Sequence, residues 1–480
     1  MKTKLGDFRL IVVSNREPYT HSTSGDRVVC RRPVSGLTEA LDPVMRATGG
    51  VWVAQGTGDA DRLTVDASDH VTVPPGRNEY TLRRVWLDDR QVKGFYLGFS
   101  NNALWPLCHI VFIPPVFDES DWLAYKEVNR VFADAVLEEA AGRKTVVLVQ
   151  DYHLALLPAM IKERDPGITV GQFWHIPWTP YEVFRTCPWT ADILKGLLGN
   201  DLLGFHLDSY CRNFIESVDR EFGEDAAVDG RFVQHHGRRT AVEAFPISID
   251  FDHLSRAAGT EAVSKEMAKL TAKYNLDGRL IGIGIDRLDY TKGILQRLEA
   301  LDLFFEKNPE YRGKVVFIQA GMPSRTELAS YREIAQRIDA KITAINSRYS
   351  GDSWQPIVTL GAQLSPVELN ALRRLARFCL VTSLHDGMNL VAKEFVAARS
   401  DGDGVLVLSR FAGAAAELGD ALIINPFDAT RLAAGIREAV EMPPAERKRR
   451  MKKMRRVLAG FNIYQWGAAT VGRLLAMAGA

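Results

Sequence analysis

What most restricts the fold of this chain is the recurrence, from one end to the other, of short apolar runs rich in β-branched residues, separated by amphipathic helical stretches. The runs FRLIVVSN, TVVLVQ, GQFWHI, DLLGFH, RLIGIGI, KVVFIQA, RFCLVTS and GVLVLS have the length and near-continuous apolarity of strands covered on both faces. Between them, positions such as Ile294, Leu298, Leu301 and Phe305 step by four, three and four and so share one face of a helix. This alternation predicts an α/β fold, with parallel sheets flanked by helices. The runs are too many for one sheet, and the stretch from about Ile247 to Tyr274 reads as a connector before a second βα series begins. Two doubly wound domains with a cleft between them are expected, with ligands at the carboxyl ends of the strands.

The chain has 480 residues and a formal charge of +1, so no global field recruits nucleic acid or an acidic membrane, and an anionic ligand must be held locally. The five cysteines are odd in number and widely spaced, with no C-x-x-C, which reads as free thiols in a reducing cytoplasm. The apolar part of the N-terminus is short and continues into a strand, so no signal peptide is expected. No apolar run reaches the roughly 18 residues of a membrane helix. The basic run RKRRMKKMRR, Arg447 to Arg456, follows MPPAE and spaces Met451 and Met454 helically; it reads as a solvated helix face rather than a nucleic-acid site. There is no H-E-x-x-H, no G-x-S-x-G, no Walker-type loop and no G-x-G-x-x-G after the first strand. A metal, a cofactor, serine hydrolysis, P-loop chemistry and dinucleotide redox chemistry are therefore not expected.

Two turns are built to hold anions. In DRLDYTKG, Arg287 and Lys292 lie where a strand end feeds a helix start, and such a start adds unpaired N–H groups and a positive dipole end to the two cations. Taken alone, the stretch reads equally well as a surface turn in which Asp286, Arg287, Asp289 and Lys292 pair among themselves. In LHDGMNLVAKE, Gly387 admits a close backbone approach, the amides of Met388, Asn389, Leu390 and Val391 face out of a helix start, and Glu394 follows on the first turns as a candidate ribose ligand. A third loop ends at Gly36, which opens another helix. Tyr96, Trp105 and Trp52, with Asp151 and His153 just after a strand, are the residue types of a sugar site: ring faces cover C–H surfaces and charged groups fix hydroxyls. His175 ends the run FWHIPW, with Pro177 blocking further strand pairing; a lone histidine in such company is most often a satisfied core residue.

In their order, VVSNREP, SGL, NALWP, DYHLALLP, HIPW, DLLGFH, DRLDYTKG, DGMNLVAKEFVAA and SRFAGAAAELGDALIINPFD resemble the trehalose-6-phosphate synthases, retaining hexosyltransferases of glycosyltransferase family 20, over nearly the whole chain. The resemblance implies the GT-B fold, with an acceptor domain over 1–246, a nucleotide-sugar domain over 247–455 and a C-terminal helix within 456–480 crossing back to the first. It implies transfer of glucose from a nucleoside diphosphate glucose, UDP-glucose first, to glucose 6-phosphate, without metal or cofactor, in a cytoplasmic protein, and it leaves a homo-oligomer open. By matching motif, Arg287 and Lys292 grip the diphosphate, Glu394 the ribose, and Leu390 and Val391 meet the diphosphate through their backbone. Gly36 belongs to the loop over the donor, Asp386 and His175 flank the transferred glucose, and Asp151 holds acceptor hydroxyls. Arg16, Tyr96, Trp105 and Arg325 match the acceptor's phosphate pocket, with Trp52 nearby.

The chain departs from the family pattern at Ser35, where a second glycine is usual, at Gln150, where histidine is usual, at His385, where arginine is usual, and in the longer insertion YTHSTSGDRVVCRR. SNREPY and ESDW are also similar to the glucosylglycerol-phosphate synthases, which use glycerol 3-phosphate; His153 stands where those enzymes tend to have asparagine. A catalytically silent sugar-phosphate sensor is a further alternative, but Arg287, Lys292, Asp386, Glu394 and His175 are all in place. The base of the donor nucleotide is not read from the sequence.

Overall fold

A computed structural model of the chain describes residues 5–32, 36–351, 353–361 and 364–479, and side chains throughout these except at 36, 37, 39 and 40. Ser35 lies outside the described residues. The chain divides into two compact units, Met1–Ile247 with Ile463–Ala480, and Ser248–Asn462.

The first unit is built on a ten-stranded sheet in the order Ala226–Asp229, Phe232–His235, Arg238–Ala244, Leu202–Phe205, Thr169–Phe173, Thr145–Gln150, Arg9–Arg16, Val51–Gln55, Tyr80–Val85, His70–Val73. The seven strands from Arg238–Ala244 to Tyr80–Val85 run parallel. At the centre, Thr145–Gln150 is buried along its whole length, which is why its sequence is apolar rather than alternating. Both edges are antiparallel, a feature the continuous apolar runs do not announce. The 226–244 edge turns at Gly230 and at His236-Gly237, all with positive φ, and turn residues of that kind connect hairpins. The insertion after Arg16 folds as a separate hairpin, Thr20–Ser24 with Arg27–Arg31, and Gly25 takes the positive φ its two-residue turn requires. The terminal helix Ile463–Ala478 packs on the helix Gly36–Thr48 and on the strands Thr145–Gln150 and Thr169–Phe173.

The second unit has a six-stranded parallel sheet in the order Ile357–Leu360, Val315–Met322, Leu280–Arg287, Phe378–Val381, Val405–Ser409, Leu422–Ile424. Ile294, Leu298, Leu301 and Phe305 form the buried face of the helix Ile294–Lys307, as their spacing predicts. The stretch read as a connector forms two helices, Phe251–Ala257 and Glu261–Lys273, packed on Leu390–Ala398 and Pro366–Leu375. The basic run lies in the helix Pro444–Gly460, but not all of it faces water. Met451 and Met454 are buried, Arg447 is buried against Asp403 and the Met442 carbonyl (2.6 Å), and Arg455 donates to the Val396 (3.0 Å) and Ala397 (2.6 Å) carbonyls at the end of the helix Leu390–Ala398. Cations suit a helix C-terminus because its last carbonyls are unpaired and carry the negative dipole end.

Candidate functional site

In the first unit, candidate residues gather at the carboxyl ends of the central strands. Arg16 ends the first strand just after a register shift between Ser14 and Arg16. Trp52 is fully buried and is joined to it by a short relay: the indole Nε1 donates to Ser14 Oγ (2.8 Å), which donates to the Arg16 carbonyl (2.7 Å). The Arg16 guanidinium donates to the Tyr96 hydroxyl at 3.0 Å, and the Tyr96 ring stacks on His153 with centroids 5.7 Å apart. Tyr96 is carried on a π-helical stretch, Val92–Leu104, which runs into the short helix Trp105–His109. π-Helical geometry is rare and concentrates at functional sites. Trp105 is buried against His109 and Tyr152.

Asp151 sits at φ 72°, a backbone region that costs a non-glycine residue about 1–3 kcal/mol and is kept where the surroundings demand it. Its carboxylate accepts from the N–H of Tyr152 (3.0 Å) and of His175 (3.3 Å). His175 places Nε2 2.9 Å from Gln150 Oε1, and its ring packs against Phe173 (4.6 Å), His206 (5.6 Å) and Trp466 (6.1 Å). Burial, with nearby His206 and His153, holds its pKa well below the ordinary histidine value, so the ring is neutral near pH 7.

Beside Arg16 lies an ion cluster that sequence reasoning missed. Arg84 is fully buried and donates to Glu17 (2.9 Å), while its Nη2 lies 2.7 Å from Asp61. Asp61 also accepts from the N–H groups of His21 (2.7 Å), Thr57 (3.0 Å) and Gly58 (2.6 Å), anchoring the insertion hairpin. Two carboxylates share one guanidinium, so burial and the neighbouring Asp61 push Glu17 up to about 8, whereas Asp61, with more N–H donors, remains ionised.

In the second unit, DRLDYTKG resolves into separate partnerships. Asp286 does not join the cation site; it pairs at 2.7 Å with buried Arg297, which also donates to Gln319 (2.9 Å) and Thr382 (3.0 Å). Asp289 is fully buried and caps the turn through the Thr291 N–H and hydroxyl, both at 2.9 Å. Arg325 approaches it at 3.5 Å and Arg287 at 3.9 Å, and the Tyr331 hydroxyl donates at 3.3 Å. Burial alone would raise the Asp289 pKa, but Arg325, Arg287 and Lys292 hold it below the usual carboxylate range. Arg325 itself adopts φ 47° and is nearly buried.

Lys292 Nζ meets Asp386 Oδ2 at 2.6 Å, and the same oxygen accepts from Ser383 (3.1 Å) and Asn389 (3.1 Å). Helix Leu390–Ala398 begins two residues later than Met388: Asn389, at φ 72°, is its N-cap and accepts from the Ala392 N–H at 3.1 Å, while Met388 is buried. The N–H groups of Leu390 and Val391 therefore belong to the first turn, where no intrahelical acceptor exists. A second loop braces this one, with Asp386 N–H donating to Phe411 O (3.1 Å), Gly413 N–H to Asp386 O (3.1 Å) and Ala414 N–H to Met388 O (2.7 Å). Glu394 lies on the same helix and is paired with Arg373, which donates also to Asn370 at 3.0 Å. Nothing in the local pattern of RRLAR marks Arg373 as that partner. Gly36 opens its helix as expected. Among the described residues, no group of three or more His, Cys, Asp or Glu side chains is arranged to hold a metal.

The geometry thus brings Arg16 to Tyr96, Asp151 to His175, Arg287 to Arg325 through Asp289, and Lys292 to Asp386. The family model described as Glycosyltransferase family 20 matches residues 8–475. The trehalose-6-phosphate synthase of Mycobacterium avium is 38% identical over 98% of this chain and 96% of its own length. The bifunctional trehalose-6-phosphate synthase/phosphatase of Thermoproteus tenax is 40% identical over 97% of this chain, which spans 63% of that relative's length. The solved alpha,alpha-trehalose-phosphate synthase (UDP-forming) of Burkholderia vietnamiensis superposes with TM-score 0.88 at 32% identity, covering 98% of this chain and 99% of that one. The E. coli protein bound with UDP-2-fluoro glucose gives 0.87 at 30% identity over 97% and 99%. The Burkholderia xenovorans synthase in complex with glucose-6-phosphate gives 0.85 at 31% over 97% and 100%. The fold is accordingly GT-B, with two Rossmann-like domains.

Proposed function

The chain belongs to glycosyltransferase family 20, and from that premise we propose that it is an α,α-trehalose-phosphate synthase, moving glucose with retention from UDP-glucose to glucose 6-phosphate. The observation that carries the reading is the cation cluster of the second unit, in which Arg287, Lys292 and Arg325 are held by the carboxylates of Asp289 and Asp386 at strand ends. Cations fixed before substrate arrives stabilise charge that develops later, without reorganisation. In the proposed reaction the bond from glucose C1 to the diphosphate oxygen breaks with its electron pair going to the phosphate. Arg287, Lys292 and the first-turn amides of Leu390 and Val391 take up that charge. The acceptor hydroxyl attacks C1 from the face the diphosphate leaves, and its proton passes to the departing phosphate oxygen.

Glu394, oriented by Arg373, accepts from ribose hydroxyls, and Asp386 and His175 contact the transferred glucose. Asp151 holds acceptor hydroxyls, while Arg16, Tyr96 and Arg325 bind the acceptor phosphate. Trp52, being buried, acts by fixing the Arg16 backbone through Ser14. UDP as the nucleotide and glucose 6-phosphate as the acceptor are supported by what the E. coli and B. xenovorans structures contain. The five cysteines are unpaired thiols, which favours the cytoplasm as its place. Among the described residues no helix is long and apolar enough to cross a membrane.

The test is nucleoside diphosphate release from UDP-, ADP- and GDP-glucose, each with glucose 6-phosphate or glycerol 3-phosphate. Release from UDP-glucose that depends on glucose 6-phosphate is expected. Release with glycerol 3-phosphate alone would assign the neighbouring activity, and no release with any pair would leave a sugar-phosphate sensor.

A further inference from the structure

Gln150, one of the departures from the family pattern, ends the strand Thr145–Gln150 and has no exposed surface. Its side-chain Nε2 donates to the Val149 carbonyl at 3.1 Å. A carbonyl oxygen only accepts, so this contact identifies the NH2 end of the amide; the opposite orientation would set two oxygens against each other. Gln150 Oε1 is then the atom 2.9 Å from His175 Nε2, and because it too only accepts, the ring proton must sit on Nε2. The ring has little freedom to evade this. The His175 N–H donates to Asp151 (3.3 Å), its carbonyl accepts from His206 Nε2 (3.0 Å), and Phe173 and Trp466 flank the imidazole.

We infer that Gln150 is a positioning residue that locks His175 as the neutral Nε2–H tautomer, so that Nδ1 presents a lone pair to a substrate hydroxyl. The role in catalysis rests on the proposed reading of His175 as a glucose contact; the tautomer itself does not. In a neutral imidazole, the hydrogen bond made by one nitrogen decides what the other offers. An Nδ1 lone pair accepts from a hydroxyl and rewards a substrate that has one there; an Nδ1–H would instead demand an acceptor. His206 and His153 bear on the ring's charge, and Asp151 faces its backbone N–H.

The test uses full-length enzyme carrying ¹⁵N-histidine, with the ring nitrogens of His175 read by long-range ¹H–¹⁵N correlation without substrate and assigned by their loss in His175→Gln. The expected wild-type pattern is a protonated Nε2 and a bare Nδ1, changing to a mixture of tautomers in Gln150→Leu. Gln150→Glu, of the same shape, puts a carboxylate on Nε2–H and favours the imidazolium. Relative to wild type at the same pH, its turnover should fall about tenfold between about pH 8 and about pH 6, because the Nδ1 lone pair is lost wherever the ring is protonated. A protonated Nδ1 in the wild type, or a wild-type pattern retained in Gln150→Leu, overturns the lock. The expected pattern together with an unaltered pH profile in Gln150→Glu overturns its role in the reaction. Because the spectra need no turnover, an enzyme inactive on every donor would overturn the proposed activity and leave the tautomer to be judged separately.

Discussion

Asp289→Asn is the substitution that strikes the cation cluster at its centre. Asparagine keeps the size of the side chain and an oxygen for the Thr291 cap, but withdraws a negative charge lying 3.5 Å from Arg325 and 3.9 Å from Arg287. Removing one member of a buried ion pair typically costs about 3–5 kcal/mol, because the other charge stays buried. Arg325, with 6% of its side chain exposed, meets that condition, whereas Arg287 is 34% exposed and water screens much of its share. The expected loss is therefore about 3 kcal/mol, nearly all from Arg325. For a unit of this size, at about 2–4 °C per kcal/mol, the Tm falls by about 6–12 °C. Because the Asp289 pKa is held below its ordinary value, its contribution is complete above the unfolded carboxylate pKa of about 3.9 and is lost as pH falls through the lower folded value. Thermal unfolding of both proteins should show a constant gap from about pH 5 to 8 that closes below about pH 4, and KM should rise for donor and acceptor alike. A Tm within about 1 °C of wild type across this range, with unchanged kinetics, would refute the idea that Asp289 holds the two arginines.

Arg287→Ala should lower kcat/KM by about 10²–10³-fold, the loss seen when one donor to a developing oxyanion is removed; unchanged turnover would remove it from the site. Arg325→Ala should raise the acceptor KM while leaving slow hydrolysis of the donor in place, and equal loss of both would make Arg325 structural. Gly413→Ala should weaken donor binding, read by titration with the nucleoside diphosphate, because its Cβ would lie 2.1 Å from the Gly387 carbonyl oxygen and 3.0 Å from Met388 Cα, pushing the loop that carries Asp386. Wild-type affinity in that variant would mean that the loop is not braced from 413.

The sequence made the central strands plain because they are buried on both faces and so are written as unbroken apolar runs. It made the anion turns plain because cations, a glycine and a helix start fall within a few residues of one another. The antiparallel edges were obscured because the runs singled out came from the sheet interiors, although the Gly-Asp turn in the insertion is a hairpin signal. The partners of the site residues were obscured for a different reason. Arg84 with Glu17 and Asp61, Arg373 with Glu394, and Trp466 beside His175 join positions that only tertiary folding brings together, and a charged residue or tryptophan carries no local sign of what it will touch. DRLDYTKG supports this distinction: of its two readings, mutual pairing holds for Arg287 with Asp289, at 3.9 Å, whereas Asp286 pairs with Arg297 and Lys292 with Asp386. The Asn389 cap also moved the helix start beyond Met388, because an asparagine oxygen can replace a backbone acceptor at the first turn.

The most direct measurement is the proton NMR spectrum of the product formed from UDP-glucose and glucose 6-phosphate, with its mass. A non-reducing disaccharide monophosphate with α configuration at both anomeric carbons is the predicted result. A β linkage, a reducing disaccharide, or glucose as the sole sugar product would contradict a retaining transfer to glucose 6-phosphate.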